Sequence, residues 1–96
     1  MKSRELNRPE SPAEVLRARL RSLGLTQSQL AGQLQISAGY LSDVLASRRR
    51  ITPQLALDLE QELGIPAQTW VALQGEYELE QARLQRAARK DVRGEK

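Results

Sequence analysis

Arg48, Arg49 and Arg50 stand side by side in a chain that has neither cysteine nor histidine. Guanidinium groups grip phosphate and carboxylate through paired hydrogen bonds and do no covalent chemistry of their own. Without cysteine or histidine there is no disulfide, no thiol nucleophile, no Ser/His/Asp triad and no ordinary zinc site. Carboxylate chemistry remains, but a glycosidase built on two acids needs a cleft that 96 residues in short helices hardly supply. No catalytic residue, metal ligand or cofactor is expected, and the residue types point to binding.

The order of the charges says what is bound. From Val15 to Arg50 the chain carries six arginines against one acid, Asp43. From Ile51 to Ala82 it carries six acids, Asp58, Glu60, Glu62, Glu76, Glu78 and Glu80, and no base. Arg83 to Lys96 is basic again. A basic pole suits a polyanion, while an acidic pole turned away from it suits a second, basic partner. No apolar run reaches the roughly 18 residues of a membrane span, and Met1 to Pro12 has no apolar signal region, so a cytoplasmic protein with no membrane partner is expected.

The elements that position these charges are legible from their ends. Ser11-Pro12-Ala13-Glu14 is a capping box with proline at the first helical position, and Gly24 closes that helix. Thr26 with Gln29 opens a second helix, Ser37 a third, Thr52-Pro53 a fourth that runs to Gly64, and Pro66 a fifth. Along the third, Leu41, Val44 and Leu45 face inward, and Ala38, Gly39, Ser42 and Asp43 face the other way. The fifth carries Trp70, Leu73 and Tyr77, with Leu84 and Ala88 continuing the stripe and Gly75 as a possible bend. No strand pattern occurs. The fold class is all-α.

Two short helices joined over Gln35 to Ser37 have the dimensions of a helix-turn-helix, with small Ala31 where the pair must approach closely. Such a second helix can enter a major groove. A plain helical core is the alternative on geometry alone.

From Ser11 to Leu79 the chain resembles the HigA antitoxins, a branch of the phage-repressor-like helix-turn-helix family. The resemblance rests on SPAEVLRARLRSLGLTQSQLA, YLSDVLASRRRITPQLALDLEQELGIP and TWVALQGEYELE. It implies a five-helix repressor-like domain with a long C-terminal helix, a homodimer on operator DNA, and neutralisation of a HigB-type toxin that cleaves mRNA. The chain then divides into a flexible segment 1–10, a DNA-binding domain 11–80 and a charged tail 81–96, helical or flexible.

Relatives commonly have glycine where this chain has Gln35, and a left-handed glutamine costs about 1–2 kcal/mol, so a reshaped turn is expected. The helix positions that usually reach base edges fall on Ala38, Gly39, Ser42 and Asp43, none able to make a bidentate arginine–guanine or glutamine–adenine contact. Ser37 and Ser42 can hydrogen-bond to bases or phosphates, and Ala38 can touch a thymine methyl. Phosphate contacts are expected from Gln27 at the start of the second helix, Tyr40, Arg48, Arg49 and Arg50. Gln27 is otherwise a solvated first-turn residue, and Tyr40 a ring packed on the second helix. Trp70, Leu73 and Tyr77 belong either to the core or to a dimer interface. The competing functions are a repressor without a toxin and a helical interaction module that binds no DNA.

Overall fold

The computed structural model describes residues 10–94, with side chains as far as Arg89. The expected segment 1–10 lies, except for Glu10, outside the described residues. Among the described residues five helices follow in order: α1 (Pro12–Leu23), α2 (Gln27–Leu34), α3 (Ala38–Leu45), α4 (Pro53–Leu63) and α5 (Ala67–Gly94). Among the described residues there is no strand.

Each start is fixed by a side chain on an otherwise orphaned backbone N–H. Ser11 Oγ accepts from the Glu14 amide at 3.1 Å, and the Glu14 carboxylate accepts from the Ser11 amide. Thr26 and Gln29 repeat this box on α2 at 3.0 and 2.8 Å. Ser37 accepts from the Tyr40 amide and Thr52 from the Leu55 amide. The start of α5 is capped from another element, since Glu60 on α4 accepts from the Ala67 amide at 3.0 Å.

Leu16, Leu30, Leu41, Ile51, Leu59 and Trp70 are the largest wholly buried side chains, one from each helix and Ile51 from the loop before α4. Helix α4 packs on α5 and α2, α3 packs on α2 and α1, and α1 also reaches α5. Trp70 thereby lies in the core of the single chain with no exposed surface. Of the two readings of Trp70, the core is the one this position favours, since a side chain with no exposed surface has none to offer a second copy. Leu73 is half-buried and packs on the same core, and Tyr77 is half-buried.

Helix α5 runs unbroken through Gly75 and across residue 80. At 1.5 Å per residue its 28 residues span about 42 Å. Residues 81–89 are all exposed, so Leu84 and Ala88 extend the Trp70 stripe past the end of the core.

Candidate nucleic-acid interface

The joint between α2 and α3 keeps the left-handed residue that its geometry needs. Gln35 has φ 59° and ψ 42°. The expected reshaping does not occur, because Leu34 is buried on one side, Ile36 packs on the core on the other, and the Ile36 amide donates to the Ala31 carbonyl at 3.1 Å. The packing of Leu34 and Ile36, together with that helix-end hydrogen bond, outweighs a local strain of about 1–2 kcal/mol. A second non-glycine residue, Ser47, also has positive φ, 63°, directly before the arginine run.

Helix α3 buries Leu41, Val44 and Leu45 and exposes Ala38, Gly39 and Ser42, with its capping residue Ser37 exposed beside them. All four exposed residues are small, so the backbone can come close to a groove floor. Gln27 is exposed at the first position of α2, where the free amides and the helix dipole favour an anion.

Beyond the end of α3 the chain turns through Arg48–Arg50, all exposed. Each arginine already has a partner. Arg48 Nη2 lies 2.9 Å from Asp43 Oδ1, and Arg49 Nε lies 3.9 Å from the other oxygen of that carboxylate. The Arg49 guanidinium sits 5.1 Å above the Tyr40 ring, a cation–π distance. Tyr40 is half-buried against the core, so packing and support of Arg49 hold together. Arg50 places Nε 2.7 Å and Nη2 3.2 Å from the two oxygens of Glu78 on α5. The hydrogen bond from Arg50, with a second from Gln74, holds the Glu78 carboxyl below the ordinary glutamate range, against a smaller effect of burial.

Two features were not evident from sequence. Gln74 is buried on α5, where its Oε1 accepts from the Ile51 amide at 2.8 Å and its Nε2 donates to Glu78 at 3.0 Å. A polar residue four positions after Trp70, on the apolar face of the helix, was the visible signal. Arg17 on α1 donates to the Leu45 carbonyl at 2.7 Å and Arg19 grips the Leu63 carbonyl at 3.0 and 2.9 Å, closing the C-terminal ends of α3 and α4. Two arginines of the basic window are therefore spent inside the fold. The acidic window divides likewise, since Glu78 is paired on the arginine side and Glu60 caps α5, so it does not face away as a block.

Tyr40, Asp43, the three arginines, Gln74, Tyr77 and Glu78 border one open concavity of about 760 Å³. No group of described residues forms a cluster able to hold a metal ion, and no described helix is long and apolar enough to cross a membrane.

An outward second helix of eight residues, set on its neighbour by a three-residue joint and followed by a basic loop, defines a helix-turn-helix protein. The helix-turn-helix family model matches residues 16–70. Virulence-associated protein I of Dichelobacter nodosus is 35% identical over 72 residues, which cover 74% of this chain and 67% of that protein. Antitoxin HigA of Pseudomonas aeruginosa, solved with the higBA promoter, is 30% identical with a TM-score of 0.78, covering 88% of this chain and 94% of that one. An addiction module antidote protein of the HigA family from Coxiella burnetii is 31% identical with a TM-score of 0.76, covering 90% and 94%. The chain belongs to this helix-turn-helix family and, within it, to the HigA-type antitoxins.

Proposed function

We propose that this protein binds the operator of its own toxin–antitoxin operon as a homodimer, represses it, and holds a HigB-type ribonuclease toxin inactive. The observation that carries the DNA reading is the exposed face of α3, Ser37, Ala38, Gly39 and Ser42, bordered by Arg48, Arg49 and Arg50. Short side chains let the helix sit deep but read few base edges, so phosphate contacts by Gln27, Tyr40 and the arginines supply much of the affinity, and DNA shape contributes to specificity. The Pseudomonas aeruginosa relative solved with its promoter supports the same assignment. Anisotropy titrations of a promoter duplex and a scrambled duplex test it. Operator preference is expected, and Arg49→Ala with Arg50→Ala should flatten the salt dependence by about one slope unit per lost phosphate. Equal binding to both duplexes would reject operator recognition.

Sparse readout by one helix favours two, spaced one DNA turn of about 34 Å apart or a multiple of it. With Trp70 committed to the core, the surface offered to a second copy is the opposite side of α5. Ala72, Gly75, Leu79 and Ala82 recur there at spacings of three and four, all exposed, with Val71 44% and Leu79 51% exposed beside small neighbours. Glu76 and Glu80 flank one half of this stripe and Arg83 and Arg86 the other, so two copies crossing antiparallel set acid against base. Leu73 and Tyr77 lie at the edge of the core, and Tyr77 borders the concavity. Co-purification with the product of an adjacent gene separates an antitoxin from a repressor that has no toxin.

A further inference from the structure

The three arginines after α3 are not three free cations. Asp43 holds Arg48 and approaches Arg49, and Glu78 holds Arg50 through both its oxygens. Asp43 belongs to α3 itself and moves with it. Glu78 comes from α5, 28 residues away in sequence from Arg50, and it is held in place independently of that arginine. Its second contact is the Gln74 amide at 3.0 Å, and Gln74 is in turn fixed by burial and by the Ile51 backbone N–H at 2.8 Å. The carboxylate therefore stands at a defined point beside the loop. A carboxylate with two oxygens facing a guanidinium fork presents the pattern of acceptors that a DNA phosphate would present. The Arg50 and Glu78 side chains are 52% and 45% exposed, so the guanidinium can turn to a phosphate outside without leaving a buried site.

Resting on the operator-binding reading, we infer that Glu78 is an internal competitor for Arg50 that lowers the affinity for DNA, with Gln74 as the residue that positions it. In the free protein Arg50 is neutralised by Glu78. On DNA it transfers to a phosphate, and Glu78 is left as an unpaired negative charge beside the duplex. The antitoxin thereby binds its operator less tightly than its arginine content allows, and α5 sets how much less.

The test is a double-mutant cycle on the full chain, with Glu78→Gln and Arg50→Ala alone and together, titrated by anisotropy against the promoter duplex across a range of salt. Glutamine keeps the volume and an oxygen for the Gln74 amide. Glu78→Gln is expected to tighten binding about three- to fivefold, the scale of one exposed ion pair, and to steepen the salt dependence by up to about one slope unit. Most of that gain should vanish in the Arg50→Ala background. Weaker binding by Glu78→Gln would make Glu78 a support of the loop and overturn the inference. An equal gain with and without Arg50 would reduce it to general charge repulsion and overturn it too, as would no change. Circular dichroism of every variant separates these outcomes from unfolding, and Gln74→Met, which removes the donor to Glu78 without adding a charge beside Arg50, provides a second perturbation expected to tighten binding less than Glu78→Gln. Should wild type bind promoter and scrambled duplexes equally, operator recognition fails while the cycle on either duplex still decides the role of Glu78. If wild type binds neither, both readings fall.

Discussion

Arg17 on α1 donates from Nη2 to the Leu45 carbonyl at 2.7 Å, so the helix that presents Ser37, Ala38 and Ser42 is finished by an arginine of another element. A cation at the last carbonyls of a helix satisfies an orphaned acceptor and opposes the negative end of the dipole. Arg17→Ala should lower the unfolding free energy by about 1–2 kcal/mol, read by urea denaturation. Amide exchange near Leu45 should accelerate before that of α4. Uniform loss across the domain would mean that the contact serves general packing instead.

Gln35 supplies a sharper test of the joint. Gln35→Gly should stabilise the protein by about 1 kcal/mol, because glycine adopts φ 59° without the strain of a Cβ while losing more chain entropy on folding. The melting temperature should rise by about 4–8 °C, the scale for a domain of this size. Operator affinity should stay within a factor of two, since the Gln35 side chain is not among the residues assigned to DNA. A drop in stability would show that its side chain makes a contact worth more than the strain.

These two residues mark where sequence reading stops. The caps at Ser11, Thr26, Ser37 and Thr52 are legible because each joins groups three residues apart. The alternation of buried Leu41, Val44 and Leu45 with exposed Ala38, Gly39 and Ser42 is legible because helical period fixes it. Gln35 keeps the left-handed turn because Leu34 and Ile36 anchor it through contacts that local propensity does not count. The partners of Arg17, Arg19 and Arg50 lie 28, 44 and 28 residues away, and charge alone does not choose among the acceptors that folding brings near. Trp70 was ambiguous for a similar reason: an apolar stripe announces burial without saying whether one chain or two provides it.

The outer side of α5 should separate association from folding. Leu79→Glu is expected to give a folded monomer in sedimentation, since Leu79 is half exposed and faces away from Trp70. Trp70→Ala should instead cost about 3–5 kcal/mol and unfold much of the chain, as large core truncations do. A dimer that survives Leu79→Glu, with Val71→Glu beside it, would move the interface to another surface.

The Arg50–Glu78 pair should respond to acid. The lowered Glu78 pKa means that the pair's contribution to stability is fully present above the ordinary glutamate value, about 4.3, and is lost as pH falls through the lower value in the folded protein. The Glu78 side-chain carboxyl carbon, followed by NMR, should titrate below that of a glutamate in a peptide. Arg50→Ala should restore it toward the ordinary range, and Gln74→Ala should do so less, because the hydrogen bond from Arg50 is the larger cause. A Glu78 titration unchanged by Arg50→Ala would show that the pair does not persist in solution.

The acidic half of the chain bears on the proposed toxin partner. A ribonuclease that cleaves mRNA is expected to be basic, so an acidic surface on its antitoxin would steer the encounter. With Glu60 capping α5 and Glu78 engaged by Arg50, Glu62 on α4 and Glu76 on α5 are exposed acids that neither contact occupies. Rim charges act mainly on association rate and lose their effect as salt screens them. Glu62→Lys with Glu76→Lys should therefore slow capture of the cognate toxin by about three- to tenfold at low salt, with the difference closing toward molar salt and the dissociation rate little changed. Sedimentation of the double variant must show the wild-type oligomer, because Glu76 borders the stripe assigned to the second copy. Capture at an unchanged rate, together with a clear loss on deleting residues 1–10 or 83–96, would place the toxin contact on the terminal segments instead of the acidic helices.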